Sequence, residues 1–175
     1  MPELGKLYMV ATPIGNLGDI TLRAINTLNQ VSLVLSEDTR NTKHLLDAHN
    51  INTKTISFHT HSNKERYQKI AELLRSGKDL ALVTDAGTPG ISDPGNHLLQ
   101  YLYKELNNFQ AIAIPGASAL TAAISISPIN LTTFNFLGFV PQKKGRMSFF
   151  KNLSNSSTPA IFYESKHRIL KTLSS

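Results

Sequence analysis

The chain has 175 residues, which suffices for one ordinary domain or two small ones with a buried core. Its hydrophobic content of 41% and charged content of 17% are typical of a soluble globular protein and exclude a disordered one. There are no cysteines, so a disulfide framework and any cysteine-ligated zinc or iron–sulfur site are excluded. The lack of cysteine also agrees with a reducing compartment.

The net charge of +6 is unevenly placed along the chain. Lysine and arginine balance aspartate and glutamate over residues 1–117, so the whole positive excess falls in residues 118–175. Such an asymmetry predicts a polyanionic partner, most often nucleic acid. A solvated basic face explains the charge alone equally well.

Neither the N-terminus nor the uncharged middle of the sequence predicts a membrane segment. The N-terminus lacks the basic start and long apolar core of a secretory signal. Residues 106–142 carry no charge, but Pro115, Gly116 and Pro128 interrupt them, so no run reaches the roughly 20 apolar residues that a span requires. We expect a cytoplasmic protein without a membrane-spanning segment.

Short apolar runs alternate with helical patterns over residues 7–116. The runs of strand length are LYMVATP, VSLVLSED, KTISFHT, DLALVTD and FQAIAIPG. The helical patterns between them are DITLRAINTLNQ, SNKERYQKIAELLRSG and DPGNHLLQYLYKEL. The second of these opens with a capping box, Ser62 and Glu65, and the third has Asp93 as N-cap followed by Pro94. This alternation predicts an α/β fold with a mostly parallel sheet.

The pattern changes after Gly116, and we place a domain boundary near residue 117. The following segments are a helical SALTAAISI, then NFLGFVPQKKGR, a helical KGRMSFFKNL, and the strand-like PAIFYES and HRILKTL. We therefore predict an N-terminal α/β domain over residues 1–117 and a C-terminal α/β domain over residues 118–175. The second, at about 58 residues, is short of a self-sufficient core, so we expect it to be incomplete. Its strand at residues 161–163 would expose an edge that another segment or chain must cover.

Four turns fall where predicted strands end, which is where open α/β sheets bind ligands. They are ATPIGNLGD, SEDTRNT, TDAGTPGISDPG and IPGASA. Glycine lets a backbone approach a ligand closely, although each turn taken alone is more often structural. The absence of GxGxxG after the first strand and of GxxxxGK[ST] disfavours dinucleotide binding and ordinary nucleoside triphosphate hydrolysis.

Two side-chain clusters have simple structural explanations. The acidic cluster of Glu37 and Asp38, with Arg40 beside it, has the pattern of a helix cap with local ion pairing. His59 and His61 alternate along a strand, but two histidines without a third ligand are weak evidence for a metal site, and we predict none.

Six motifs, taken in order, resemble the ribosomal RNA small subunit methyltransferase I family, which has the tetrapyrrole methylase-like fold. They are TPIGNLGD, SEDTRNT, TDAGTPGISDPG, IPGASA, FLGFVPQKKGR and FYESKHR, and the resemblance extends from residue 7 to about residue 168. The resemblance implies a two-domain α/β protein, usually a homodimer, with S-adenosylmethionine as methyl donor. It implies the 2′-hydroxyl of a cytidine in small-subunit ribosomal RNA as acceptor, in free RNA or in a subunit particle. Family members usually have proline where this chain has Lys166, and they continue well beyond residue 175.

The resemblance also implies a set of functional residues. The donor would lie in a cleft between the two domains, in contact with Pro13, Asp85, Ala86, Gly87, Thr88, Pro89, Ile91, Ser118, Ala119 and Phe162 or Tyr163. The basic side chains that would hold RNA phosphates are Lys143, Lys144, Arg146, Lys166 and Arg168.

A ribose hydroxyl is a poor nucleophile near neutral pH, so a base beside it would help. We hypothesise that Glu37, Asp38 and Arg40 lie near the acceptor as catalytic residues. Two alternatives remain: a methylase of a tetrapyrrole or another acceptor, and a non-catalytic donor- or RNA-binding remnant. The basic C-terminal part disfavours the first, because a porphyrinoid acid needs a pocket rather than a spread of lysines.

Overall fold

The computed structural model describes residues 3–59, 64–93 and 95–174. The chain divides into two compact units, Met1–Ala119 and Leu120–Ser175. The domain boundary that the sequence predicts, between residues 117 and 118, lies two residues before this division.

The first unit is built on a five-stranded sheet in which every neighbouring pair is parallel. Its strands are β1 (Leu7–Val10), β2 (Leu33–Ser36), β3 (Thr55–Ser57), β4 (Leu80–Val83) and β5 (Ala111–Ile114). They lie in the order β3-β2-β4-β1-β5. All four residues of β4 are buried, as expected for a central parallel strand covered on both faces. The predicted parallel sheet is thus confirmed.

Four α-helices and one short 3₁₀ helix connect these strands. They are the 3₁₀ helix Leu17–Asp19, α1 (Leu22–Gln30), α2 (Thr39–Ala48), α3 (Lys64–Arg75) and α4 (Gly95–Glu105). Two apolar clusters form the core. One contains Ile70 of α3 and Leu98 of α4, and the other contains Leu28 of α1 and Leu46 of α2. Successive strand residues alternate between the clusters: Leu80 and Leu82 belong to the first, Ala81 and Val83 to the second.

Helices α3 and α4 each bury one apolar face. Ile70, Ala71 and Leu74 are inaccessible to solvent, as are Leu98 and Leu102. Two residues of the predicted caps, Ser62 and Pro94, lie outside the described residues.

The second unit contains a parallel strand pair joined through a helix. Its elements are α5 (Ala119–Ser125), which starts at the division, then β6 (Asn135–Phe139), α6 (Arg146–Ser154), β7 (Ala160–Tyr163) and α7 (Ile169–Leu173). In the β6–β7 pair, Asn135 lies opposite Ala160 and Phe136 opposite Ile161. The strand at residues 161–163 therefore has β6 as a partner along one edge.

The strand-like prediction for residues 167–173 is wrong, because this segment contains helix α7. The carbonyl of Ser165 accepts hydrogen bonds from the N–H groups of Arg168 and Ile169, at 2.9 and 3.0 Å. The N–H of Thr172 then bonds to the carbonyl of Arg168 at 2.9 Å. Thr172 is buried, and its hydroxyl donates to a carboxylate of the same unit, which holds the turn in place.

Across the residues that the structure describes, no helix is both long enough and apolar enough to cross a membrane.

Candidate functional site

The strand order places four predicted ligand-binding turns side by side at one edge of the first sheet. Because β2, β4, β1 and β5 are consecutive and parallel, their carboxyl ends meet there. The acidic cluster follows β2, and residues 84–93, which we call the glycine loop, follow β4. The turns after β1 and β5 flank the glycine loop on the other side.

The glycine loop is paired with the end of β1 through Gly87. The backbone N–H of each of Gly87 and Thr12 donates to the carbonyl of the other at 3.0 Å, forming an isolated antiparallel bridge. Gly87 has a φ of +85°, a conformation that side chains other than hydrogen disfavour. A Cβ there would lie 3.5 Å from Cγ2 of Ile14, an ordinary van der Waals contact, so space alone does not exclude a side chain. Glycine is therefore required at this position by conformation.

Threonine hydroxyls tie the glycine loop to neighbouring strand ends. The hydroxyl of Thr12 donates to the carbonyl of Thr84 at 3.2 Å. The hydroxyl of Thr88 donates to the carbonyl of Ala117 at 3.1 Å, which links the loop to the turn after β5. The loop backbone is thus held from both sides.

The carboxylate of Asp93 binds the far half of the glycine loop. Its Oδ2 accepts hydrogen bonds from the N–H groups of Gly90 and Ile91 at 2.6 and 3.0 Å, and its Oδ1 accepts from Gly95 at 2.8 Å. The side-chain amide of Asn96 donates to the carbonyl of Gly90 at 2.7 Å. The bond to Gly95, the first residue of α4, agrees with the predicted capping role of Asp93. The two bonds into the loop fix Gly90 at a φ of +91°.

Glu37 and Asp85 are linked through the backbone where β2 and β4 end. The N–H of Asp38 donates to Oδ1 of Asp85 at 3.2 Å, and the backbone of Asp85 lies near enough to the Glu37 carboxylate for a hydrogen-bonding effect that lowers its pKa. Burial raises the pKa of Glu37, and the charges of Asp85 and Asp93 raise it further. These effects outweigh the lowering by the backbone hydrogen bond and by His59.

Asp38 and Arg40 form the helix cap that the sequence indicates. Asp38 is the N-cap of α2, and its Oδ1 accepts from the backbone N–H of Arg40 at 2.8 Å. The guanidinium of Arg40 also donates to both carboxylate oxygens, at 3.2 and 2.8 Å. These hydrogen bonds lower the pKa of Asp38 to about 2. Asp38 is therefore a weak base at neutral pH, and Arg40, with 88% of its side chain exposed, is its surface partner.

A cavity of about 210 Å³ opens between the turn after β1, helix α2 and the end of β4. It is lined by Thr12, Pro13, Leu17, Asn41, Thr42, His44, Leu45, Thr84 and Asp85. Two of the residues predicted to bind the donor, Pro13 and Asp85, are among them. Asn41 and His44 were not expected from the sequence, because nothing in their spacing sets them apart from other polar residues of a helix.

The other predicted donor residues of the first unit differ in accessibility. Ala86 is exposed, Pro89 is buried, and Thr88 and Ile91 are half-buried. Ser118 and Ala119 lie at the end of the first unit, where α5 begins.

The aromatic residues predicted to contact the donor occupy β7 of the second unit. The ring of Phe162 packs edge-on against Phe149 of α6, with centroids 5.7 Å apart. The ring of Tyr163 packs against Phe136 and Phe139 of β6, at 5.0 and 5.3 Å. Because successive strand residues point to opposite faces, only one of the two rings can face a given ligand.

Three of the five predicted RNA-binding residues line one cavity of about 180 Å³ in the second unit. We call it the basic cavity, and its lining is Gln142, Lys143, Arg146, Arg168, Lys171 and Thr172. Lys144 and Lys166 are exposed and do not line it. The described residues contain no group of three or more histidines and acids placed to hold a metal ion, and His61 lies outside them.

Comparisons with known proteins agree with the fold and extend it. The sequence profile of the tetrapyrrole (corrin/porphyrin) methylases matches residues 6–175. In solved structures, the cobalamin biosynthetic enzyme cobalt precorrin-4 methyltransferase, CbiF, superposes with a TM-score of 0.70 at 18% identity, over 97% of this chain and 72% of its own. Uroporphyrin-III C-methyltransferase from Thermus thermophilus gives 0.56 at 19% identity, over 78% of this chain and 60% of its own. The predicted fold class is therefore confirmed.

Curated relatives are much closer in sequence. The ribosomal RNA small subunit methyltransferase I of Thermotoga maritima is 44% identical over 97% of this chain and 76% of its own length. The protein of the same name from Synechocystis is 46% identical over 97% of this chain, which spans 61% of that relative. That from Halalkalibacterium halodurans is 44% identical over 98%, with 59% of its length spanned. The chain thus spans about three fifths of the length of most of these relatives.

The family that the six sequence motifs indicate is therefore confirmed, and with it S-adenosylmethionine as the methyl donor that this family uses. The chain belongs to the tetrapyrrole methylase family and, within it, to the ribosomal RNA small subunit methyltransferase I proteins.

Proposed function

We propose that this chain is an S-adenosylmethionine-dependent methyltransferase that modifies the 2′-hydroxyl of a cytidine in small-subunit ribosomal RNA. The observation that carries the proposal is the identity of 44–46% over almost the whole chain with proteins named for ribosomal RNA methylation. The tetrapyrrole enzymes among the structural relatives, at 18–19% identity, support the fold alone. The positive excess in residues 118–175 favours RNA over a porphyrinoid acceptor.

The glycine loop fits the chemistry of the donor. When bound, the donor supplies a methyl group on a positively charged sulfonium sulfur. The Asp85 carboxylate at the start of the loop provides the negative field that such a cation needs. Ala86 is exposed and its small side chain leaves the loop backbone accessible at close range, while Gly87 beside it is buried against the end of β1. We assign donor contacts to these residues and to Pro13, Thr88, Pro89, Ile91, Ser118, Ala119 and one of Phe162 and Tyr163.

Glu37 is the best candidate for the base that accepts the proton of the ribose hydroxyl. A general base works best when its pKa approaches the working pH, and the pKa of Glu37 is raised towards that range. Asp38 has a pKa of about 2 and already serves as a helix cap, so we assign it and Arg40 to holding α2 beside the site.

The proposed acceptor also suggests where the protein works and how it assembles. A protein that modifies ribosomal RNA or a subunit particle acts in the cytoplasm, where we place it. We further propose a homodimer: each strand of the second unit's two-stranded sheet has a single strand partner among the described residues. Light scattering at micromolar concentration should give twice the chain mass, and a monomer would contradict the homodimer.

Calorimetric titration with S-adenosylmethionine tests the donor site. Thr88→Tyr places a large ring in the glycine loop and should abolish binding, whereas Thr133→Tyr, at an exposed position of the second unit, should bind like the unchanged chain. Loss of binding in both variants, or in neither, would remove the glycine loop from the donor site.

Transfer of a labelled methyl group tests the reaction. Small-subunit ribosomal RNA should be labelled, and the same RNA with 2′-deoxycytidine at the modified position should not be. Donor binding without any transfer to RNA or to subunit particles would instead favour a non-catalytic remnant.

Two isosteric variants separate the roles in the acidic cluster. Glu37→Gln should lower turnover while leaving donor affinity nearly unchanged, because it removes the base but keeps the shape. Asp38→Asn keeps a good N-cap and removes the charge, so it should reduce turnover much less. Equal turnover of Glu37→Gln and the unchanged chain would remove Glu37 as the base, and turnover lost only in Asp38→Asn would transfer that role to Asp38.

A further inference from the structure

The cationic side chains of the basic cavity in the second unit are arranged around a buried carboxylate rather than spread over the surface. Its four cationic side chains are Lys143, Arg146, Arg168 and Lys171. Beneath them lies a single carboxylate, that of Glu164, whose side chain is only 2% exposed. Four cations and one anion leave an excess of three positive charges around about 180 Å³.

Glu164 is fully engaged by the residues around it. Its Oε2 accepts hydrogen bonds from Nη2 of Arg168 at 2.9 Å and from the hydroxyl of Thr172 at 2.7 Å. Its Oε1 accepts from the N–H of Ser165 at 2.7 Å. Burial opposes the charge on Glu164, but the bonds from Thr172 and Ser165 and the charges of Arg168 and Arg146 prevail and lower its pKa. Glu164 is therefore an anion at neutral pH.

This carboxylate orients both guanidinium groups of the basic cavity. Nη2 of Arg168 donates to Glu164 and also to the carbonyl of Val140 at 2.7 Å. Nη2 of Arg146 donates to the same Thr172 hydroxyl that Glu164 holds, at 3.2 Å. The guanidinium of Arg146 also lies 5.0 Å from the ring centroid of Phe150. Both cations are held in place before any ligand binds, which lowers the entropic cost of binding.

We propose that the basic cavity binds one phosphodiester group of the RNA backbone and that Glu164 is a positioning residue that presents Arg168 and Arg146 to it. The inference rests on the proposed RNA acceptor and gives it a specific point of attachment. Planar guanidinium groups match the oxygens of a phosphate, and Lys143 and Lys171 add charge at the rim. Lys144 and Lys166, outside the cavity, contribute only to the general field.

The proposal predicts a result opposite in sign to simple electrostatics. Glu164→Gln removes a negative charge from a basic region, so charge alone would strengthen RNA binding. In the proposal the variant weakens binding about tenfold, because the glutamine amide replaces an acceptor with a donor and releases the guanidinium of Arg168. The measurement is the dissociation constant for a small-subunit ribosomal RNA fragment, by fluorescence anisotropy at fixed salt. Unchanged or tighter binding by the folded variant overturns the proposal.

Adjacent lysines provide a matched pair that does not depend on the buried network. Lys143 lines the basic cavity and Lys144 does not, yet both are exposed and neighbouring in sequence. Lys143→Gln should weaken RNA binding severalfold and reduce the slope of log affinity against log salt by about one. Lys144→Gln should change both much less. Equal effects of the two substitutions overturn the proposal, even if Glu164→Gln fails to fold.

A probe without RNA separates this inference from the proposed function. Inorganic phosphate, titrated while the guanidinium N–H signals are followed by NMR, should shift those of Arg146 and Arg168 in the unchanged chain and not in Glu164→Gln. Phosphate and RNA binding at this cavity without methyl transfer would sustain the inference and contradict the proposed reaction. Methyl transfer by Glu164→Gln with unchanged RNA affinity would contradict the inference and support the proposed reaction.

Discussion

The Asp93 carboxylate holds the glycine loop through three backbone N–H groups, so Asp93→Ala tests whether loop order sets donor affinity. The substitution removes the acceptors for Gly90, Ile91 and Gly95 at once. Among the bonds that the structure describes, the one from the side chain of Asn96 to the carbonyl of Gly90 would then remain to hold this half of the loop. Gly90 needs a φ of +91°, which an unrestrained chain seldom selects over its alternatives.

The size of the effect follows from the three bonds. Hydrogen bonds to a charged group contribute about 1.5–3 kcal/mol when buried, but Asp93 is half-exposed and water replaces part of each bond. About 1 kcal/mol then remains per bond, and one of the three bonds serves mainly the cap of α4. The free energy that favours the ordered loop therefore falls by about 2 kcal/mol. If the donor binds only the ordered loop, its dissociation constant rises by about 30-fold.

Calorimetric titration with S-adenosylmethionine measures this change, and urea unfolding measures the accompanying loss of stability. Asp47→Ala is the matched control, since Asp47 is an exposed aspartate near the end of α2. We expect the control to bind the donor like the unchanged chain. Donor affinity within about threefold of normal in a folded Asp93→Ala protein would show that the hydrogen bonds to the Asp93 carboxylate do not set the binding geometry, and the reasoning would be refuted.

Three further predictions concern conformation, ionisation and packing. Gly87→Ala forces a side chain into a φ of +85°, so the free energy of unfolding should fall by about 1–2 kcal/mol and donor binding should weaken. Urea unfolding and calorimetry measure the two changes, and unchanged values would contradict the strain. Because the pKa of Glu37 is raised on folding, its contribution to stability is present below its unfolded pKa and is lost as pH rises through the folded value. Glu37→Gln should remove that loss in unfolding curves taken across pH, and parallel curves for the two proteins would contradict it. Leu98→Ala should lower the free energy of unfolding by about 2–5 kcal/mol, and Leu99→Ala clearly less, because Leu98 is buried and Leu99 only partly buried. Equal losses in urea unfolding would contradict the burial assigned to α4.

The sequence predicts the elements of the first unit well because its apolar residues are segregated by period. The run LALV is wholly buried as β4, and Ile70, Ala71 and Leu74 share one helical face of α3. The segment 167–173 misleads because its apolar residues are too few to separate a period of 2 from one of 3.6. Its Thr172 is buried through a hydrogen bond to Glu164, which no hydrophobic pattern reports.

The site is less predictable because it depends on which strands become neighbours. The turns after β1 and β4 are adjacent only through the order β3-β2-β4-β1-β5, which local periodicity does not encode. Asp93 was recognisable as a cap, but its bonds to Gly90 and Ile91 require a specific loop conformation. In the basic cavity, the sequence did not predict roles for Lys171 and Glu164. Glu164, Arg168 and Thr172 follow one another at the four-residue spacing of a helix face, and that spacing could have indicated that their side chains meet.

The long-range ties of the glycine loop have a consequence for the order in which the protein folds. The loop is bound to Thr12, 75 residues before Gly87, and to Ala117, 29 residues after Thr88. A growing chain that has not yet reached Ala117 lacks one of these partners, and non-local pairings of this kind form slowly. If the donor binds the glycine loop as proposed, its capture would report that synthesis and folding of the whole first unit are finished. A ligand that binds only this finished state also stabilises it by mass action, so the donor would protect newly made chains from unfolding.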